Sequence, residues 1–128
     1  MIAIGEASRL SGVGIETIRF YEREGIVPKP ERAANNRRLY SQDNVARLTF
    51  LKKCRDLGFP LSDAKALLDL SEQMETDCQT AKLIAETHME SVKNKFAALV
   101  RLEVALNEVT ANCAKGNVEC PMLLTLKG

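Results

Sequence analysis

Over the first sixty positions, apolar residues recur at helical spacing in short runs that turn residues interrupt. Ile4, Ala7 and Leu10 fall three apart and predict a helix from Ile4 to Leu10. Ser11-Gly12-Val13-Gly14 breaks it. A second helix fits Ile15 to Glu24, with Ile15, Ile18 and Tyr21 turned inward and Phe20 in the core. Two short helices across a tight glycine-containing turn form a helix-turn-helix pattern. Pro28 and Pro30 then stop helix formation. Residues 31–41 (ERAANNRRLYS) predict a hairpin, because Asn35-Asn36 tolerate positive φ and Arg37 to Tyr40 form a small strand. A hairpin beside a helix-turn-helix is a wing. Ser41 or Asp43 caps the next helix, whose apolar positions are Val45, Leu48, Phe50, Leu51 and Leu57. Gly58 ends it, and Pro60-Leu61-Ser62-Asp63 opens a shorter helix through Leu70.

Residues 71–79 are polar and acidic and read as a linker. From Thr80 to Asn112 there is no Pro or Gly. Ala85, His88, Val92, Lys95, Leu99, Leu102, Leu106 and Val109 alternate by three and four, as in a heptad seam. The seam is imperfect in its first half and clean from Val92 on, apart from Lys95. Too little chain remains to cover so long a helix, so the pattern predicts a partner helix from a second copy, in a homodimer.

Composition narrows the function. The 128 residues are 45% hydrophobic but only 5% aromatic, with no Trp, which suits aliphatic helical seams better than a deep catalytic pocket. A single His, no nucleophile–base arrangement and no Gly-rich phosphate loop argue against an enzyme. No apolar run approaches the ~20 residues that span a bilayer, so no membrane partner is expected. Met1-Ile2-Ala3-Ile4 has neither a basic leader nor a hydrophobic signal core, which predicts a cytoplasmic protein. Four cysteines in such a chain point to metal binding or redox sensing rather than a disulfide framework. The net charge of +1 hides a split. Residues 1–60 carry 11 Lys/Arg against 7 Asp/Glu, and residues 61–128 carry 7 against 10. A basic front half suggests a polyanion partner for that half alone.

The segments IGEASRLSGVGIETIRFYEREGIVPKPER and NRRLYSQDNVARLTFLKKCRDLGFPLSDAKALLDL closely resemble the DNA-binding half of the MerR family of metal-responsive bacterial transcription activators. ETIRFYEREG, followed by R-x-Y in a wing, carries the resemblance, and Gly116-Asn117-Val118-Glu119-Cys120-Pro121 looks most like the mercury-responsive members. Asn35 departs from the Gly that many members have in the wing turn, although Asn also adopts the left-handed conformation. The implied fold is mainly α: an N-terminal winged helix-turn-helix over 1–70, the linker 71–79, and a long C-terminal antiparallel coiled-coil dimerisation helix over 80–112. A short metal-binding loop and short terminal helix would occupy 113–128.

The resemblance places the recognition helix on Ile15 to Glu24. It assigns base or backbone contacts to Thr17 and Arg19, a phosphate contact to Tyr21, and wing contacts to Arg38 and Tyr40, with Arg37 beside them. The side chains suit these roles, since arginine presents a donor fork to guanine or phosphate and tyrosine a hydroxyl on a stiff arm. The partners implied are double-stranded promoter DNA with a palindromic operator and RNA polymerase at the promoter. Activation would come from deforming DNA, which costs roughly 1–6 kcal/mol.

The candidate metal ligands are Cys78, Cys113 and Cys120. Six residues including a Gly separate Cys113 from Cys120, enough to fold both sulfurs onto one ion. If 80–112 is one helix, Cys78 and Cys113 lie roughly 50 Å apart in one chain. They would meet only in an antiparallel dimer, where Cys78 of one subunit joins Cys113 and Cys120 of the other. Three thiolates without a nearby His favour a soft ion, with Hg(II) first, then Pb(II) or Cd(II), then Zn(II). Cys54 reads as small core packing and His88 as an interface polar group. The rival reading is a redox sensor in which Cys113 and Cys120 form a disulfide.

Overall fold

The computed structural model describes residues 1–73, 77–113 and 121–128. Its elements run α1 (Ile4–Ser11), α2 (Ile15–Arg23), β1 (Glu31–Arg32), β2 (Arg38–Leu39), α3 (Gln42–Asp56), α4 (Leu61–Ser71), α5 (Cys78–Cys113) and α6 (Pro121–Lys127). The chain divides into two units, Met1–Ile84 and Ala85–Gly128.

In the first unit α1 packs on α2 and α3, and α3 packs on α4. Ala7, Ile18, Leu48, Leu51, Ala64 and Leu68 form the centre of its core. The helices stop where sequence chemistry stops them. Gly25 (φ 72°) and Gly58 (φ 85°) take the left-handed conformation just past α2 and α3. Each closes the same pair of bonds. Ile26 N–H donates to Tyr21 and Gly25 N–H to Glu22; Phe59 N–H donates to Cys54 and Gly58 N–H to Arg55. This pair of hydrogen bonds satisfies carbonyls that a helix end otherwise leaves open, and it favours glycine because a Cβ disfavours positive φ. At the other end of α3, Ser41 is the cap. Its Oγ accepts from Asn44 N–H at 3.1 Å, while Asn44 Oδ1 accepts from Ser41 N–H at 2.8 Å, a reciprocal capping box.

Four predicted core positions differ. Leu10 is 51% exposed, because Ser11 takes the buried place at the end of α1 and its hydroxyl accepts from Val13 N–H. Leu57 is 70% exposed, because Gly58 turns the chain immediately after it. Ile15 opens α2 and is partly exposed, and Phe20 lies off the Ile18–Tyr21–Glu22 face that α2 buries. An arginine covers the Phe20 ring, with the Arg23 guanidinium 5.8 Å from its centroid.

In the second unit α5 exposes Met89, Val92, Phe96, Leu99, Leu102 and Leu106 along one stripe, with Val100 and Val104 exposed beside it. Beside the expected seam, Met89 and Phe96 offer a second apolar stripe that passes next to His88 and Lys95. The steps from Met89 to Leu99 run three, four, three, and from Leu99 to Leu106 three, four. The two successive steps of three at Leu99 are a heptad stammer, a slip of phase in an otherwise regular stripe. Among the described residues no helix is long and apolar enough to cross a membrane.

Candidate nucleic-acid interface

Antiparallel pairing sets Glu31 opposite Leu39 and Arg32 opposite Arg38 in the wing. Its turn is closed by Asn36 N–H donating to the Ala33 carbonyl at 2.9 Å and Ala33 N–H to Arg37 at 2.8 Å. Asn36 adopts the left-handed conformation, with φ 66°. Asn35, the position expected to need it, instead uses its side-chain carbonyl to accept from Arg37 N–H. The strand is shorter than predicted, and Tyr40 leaves it to bridge Ile2, each donating its N–H to the other's carbonyl at 2.8 and 3.0 Å.

α2 and the wing together line a basic groove with Arg19, Arg23, Lys29, Arg32 and Arg38. Arg37 joins Arg19, Arg32 and Arg38 around an adjoining hollow. Of the six predicted contact residues, Thr17, Arg19 and Arg37 are exposed. Arg19 pairs with Glu16 at 2.7 Å across the helix surface, an exposed pair of little worth that a phosphate can displace. Arg38 is half-buried, its Nε 3.1 Å from Glu22.

Both tyrosines are buried, Tyr21 at the inward phase that the helix predicts and Tyr40 against the expectation of an open wing contact. Tyr21 is 6% exposed and Tyr40 2%. Tyr21 sits on the inward face of α2 with Ile18, and Tyr40 is drawn in by its bridge to Ile2. The Tyr40 hydroxyl donates to Glu22 Oε1 at 2.5 Å, so it is spent inside the protein. Burial, followed by the neighbouring Glu22 carboxylate, pushes the Tyr40 hydroxyl well above the ordinary tyrosine range.

Glu22, Arg23, Lys29 and Arg32 were missed. Glu22 had a signal. It stands four residues after Ile18, at an inward phase of the helix, and a charged residue at such a position needs a buried partner. Arg32 is recognisable only from the strand register, which sets it directly across from Arg38.

The cysteines separate into two classes. Cys54 is 7% exposed within the core of the first unit, as expected, and burial pushes its thiol up. Cys78 is exposed and is the first residue of α5. Asp77 caps that helix, accepting the N–H groups of Gln79 and Thr80 and the Thr80 hydroxyl. Those donors hold the Asp77 carboxyl below the usual carboxylate range, the Thr80 bonds foremost. Cys113 is the last residue of α5, but its side chain lies outside the described residues, as do all of Cys120 and linker residues 74–76. Among the described residues no three His, Cys, Asp or Glu gather closely enough to hold a metal ion.

Comparison with known proteins agrees with this geometry. Residues 2–71 match the family described as MerR HTH family regulatory protein, and residues 45–109 the one described as MerR, DNA binding. The mercuric resistance operon regulatory protein of Shigella flexneri is 37% identical over 129 aligned residues, covering 99% of this chain and 88% of that protein. The lead(II) complex of the transcription regulator PbrR691 from Ralstonia metallidurans CH34 superimposes with a TM-score of 0.85 at 32% identity, over 98% of this chain and 99% of that one. The mercury(II) complex of the MerR regulator from Bacillus megaterium MB1 gives 0.76, also at 32% identity, over 99% of this chain and all of the other. A two-helix reader, a paired wing and a long C-terminal helix, matched along nearly the whole chain, make this protein a member of the MerR family of helix-turn-helix transcriptional regulators.

Proposed function

We propose that this regulator acts as a homodimer on a two-fold symmetric promoter operator and activates transcription when a soft metal ion binds cysteine thiolates shared between its subunits. The observation that carries the reading is α5, which runs from Cys78 to Cys113 with a cysteine at each end. Thirty-five rises of about 1.5 Å keep those ends roughly 50 Å apart in one chain. An antiparallel partner helix, seated on Val92, Phe96, Leu99, Leu102 and Leu106, would bring Cys78 of one subunit to Cys113 and Cys120 of the other. Such a dimer holds two equivalent sites by symmetry.

The relatives named for mercuric resistance, and the solved complexes with mercury(II) and lead(II), support a soft ion. Hg(II) is the first candidate for this chain, with Pb(II), Cd(II) and Zn(II) following. Thiolate ligation requires each cysteine to give up its proton, so binding releases protons and strengthens as pH rises. On DNA, Thr17 and Arg19 of α2 would enter the major groove while Arg37 and Arg38 of the wing hold the backbone. The two subunits would then bend or untwist the promoter for RNA polymerase, at roughly 1–6 kcal/mol drawn from metal binding.

A mixed dimer tests the shared site. One chain carries Cys78→Ser and the other Cys113→Ser plus Cys120→Ser. A shared site leaves one complete three-thiolate centre, so the hybrid binds one Hg(II) with the three-thiolate charge-transfer spectrum. A hybrid that shows only two-thiolate absorption sinks the crossed site and leaves Cys78 no part in sensing.

A further inference from the structure

Among the described residues, Glu22 is the one acidic side chain lining a groove whose other charged residues are Arg19, Arg23, Lys29, Arg32 and Arg38. It is 5% exposed, its Oε1 accepts from the Tyr40 hydroxyl, and its Oε2 lies 3.1 Å from Arg38 Nε. Burying a carboxylate is costly unless it is paired, and here both oxygens are. The register explains part of the need. Arg32 and Arg38 stand directly opposite one another in a strand pair two residues long, and like charges at that distance repel. Arg32 turns to the Asn36 carbonyl at 2.9 Å, and Glu22 draws Arg38 the other way. With Nε held by Glu22, the Arg38 side chain remains 31% exposed at the groove. The same carboxylate lines the groove beside Arg19, Arg23 and Lys29, so its charge acts on a phosphate that enters without touching it.

We propose that Glu22 is a specificity-determining positioning residue, which fixes Arg38 in the orientation the operator requires and repels DNA that approaches without that fit. The proposal rests on Arg38 being a wing contact. It joins two means of discrimination at one carboxylate: a pre-oriented donor for the correct partner and a like charge against the wrong ones.

The test compares the full-length dimer on an operator duplex and on a random duplex of equal length, at one fixed salt concentration, by fluorescence anisotropy. Glu22→Gln still accepts from Tyr40 but loses the charge. It should weaken operator binding about tenfold and tighten random-duplex binding about threefold, because orientation is lost while phosphate attraction grows. Glu22→Asp keeps the charge but is too short to reach both partners, so it should weaken operator binding and leave random binding within about twofold. A structural defect alone would move both duplexes in the same direction by the same factor, and that result overturns the proposal. Should Glu22→Gln lose its helical circular dichroism, Glu22→Asp decides, with unchanged operator affinity counting against the role. Arg38→Ala separates the two levels of argument. Unchanged operator affinity there overturns the wing contact and Glu22 with it, whereas weakened binding beside parallel shifts in the Glu22 variants removes only Glu22.

Discussion

Tyr40 carries a hydroxyl that could meet a phosphate, yet its backbone pairs with Ile2 and its ring is drawn into the core, where Glu22 takes the hydroxyl. Replacing Tyr40 with Phe leaves one lone pair of a buried carboxylate unanswered, so urea unfolding should show a loss of about 1–3 kcal/mol. The hydroxyl also predicts an alkaline signature. Its pKa is raised in the folded chain, so its contribution is whole below the unfolded value near ~10 and is lost as pH rises beyond it. The wild type should therefore lose stability above about pH 10 more steeply than Tyr40→Phe does. Gly25 provides a cleaner case. A Cβ there would meet nothing within 4 Å, so Gly25→Ala at φ 72° should cost about 1–2 kcal/mol through conformation alone. The family resemblance marked Arg19, Arg37 and Arg38 in the sequence, and the donor fork of arginine suited the role. The burial of Tyr40 was not visible, because it depends on Ile2, a partner far away in the chain.

Elements whose ends carry local chemistry were legible before any coordinates. Ser41 as a cap and Gly58 and Pro60 as punctuation between α3 and α4 all lie where the sequence predicts, since each acts within a few residues of itself. Ser41→Ala should cost about 1 kcal/mol, read as a lower urea midpoint at unchanged slope. The helix α5 is legible from its lack of Pro and Gly, but its seam has two candidate phases: the strict alternation through His88 and Lys95, and the exposed apolar stripe through Met89 and Phe96. If that stripe is the dimer seam, Leu106→Asp and Phe96→Asp should both sediment as monomers, each burying a charge at several kcal/mol, while Lys95→Ala stays dimeric. A Phe96→Asp protein that remains dimeric would restore the regular seam through Lys95.

At the largest scale, six of the 18 lysines and arginines line adjoining hollows of α2 and the wing, although the net charge is only +1. Six cations per chain, Arg19, Arg23, Lys29, Arg32, Arg37 and Arg38, make operator binding steeply salt-dependent. If 6–10 phosphates are neutralised by the dimer, affinity should fall by about 10³–10⁵ between 50 and 200 mM salt. A shallow slope would mean that the groove is not the DNA surface. The four cysteines, finally, do not form one reactive population. Cys54 is sealed in the core with its thiol raised, while Cys78 is open to solvent. An alkylating reagent should label Cys78 at once and reach Cys54 only during the moments when the first unit opens. Nature has thus left a clock inside this regulator: the slow labelling of one thiol counts openings of the DNA-binding unit, and a tightly bound operator should slow its ticking.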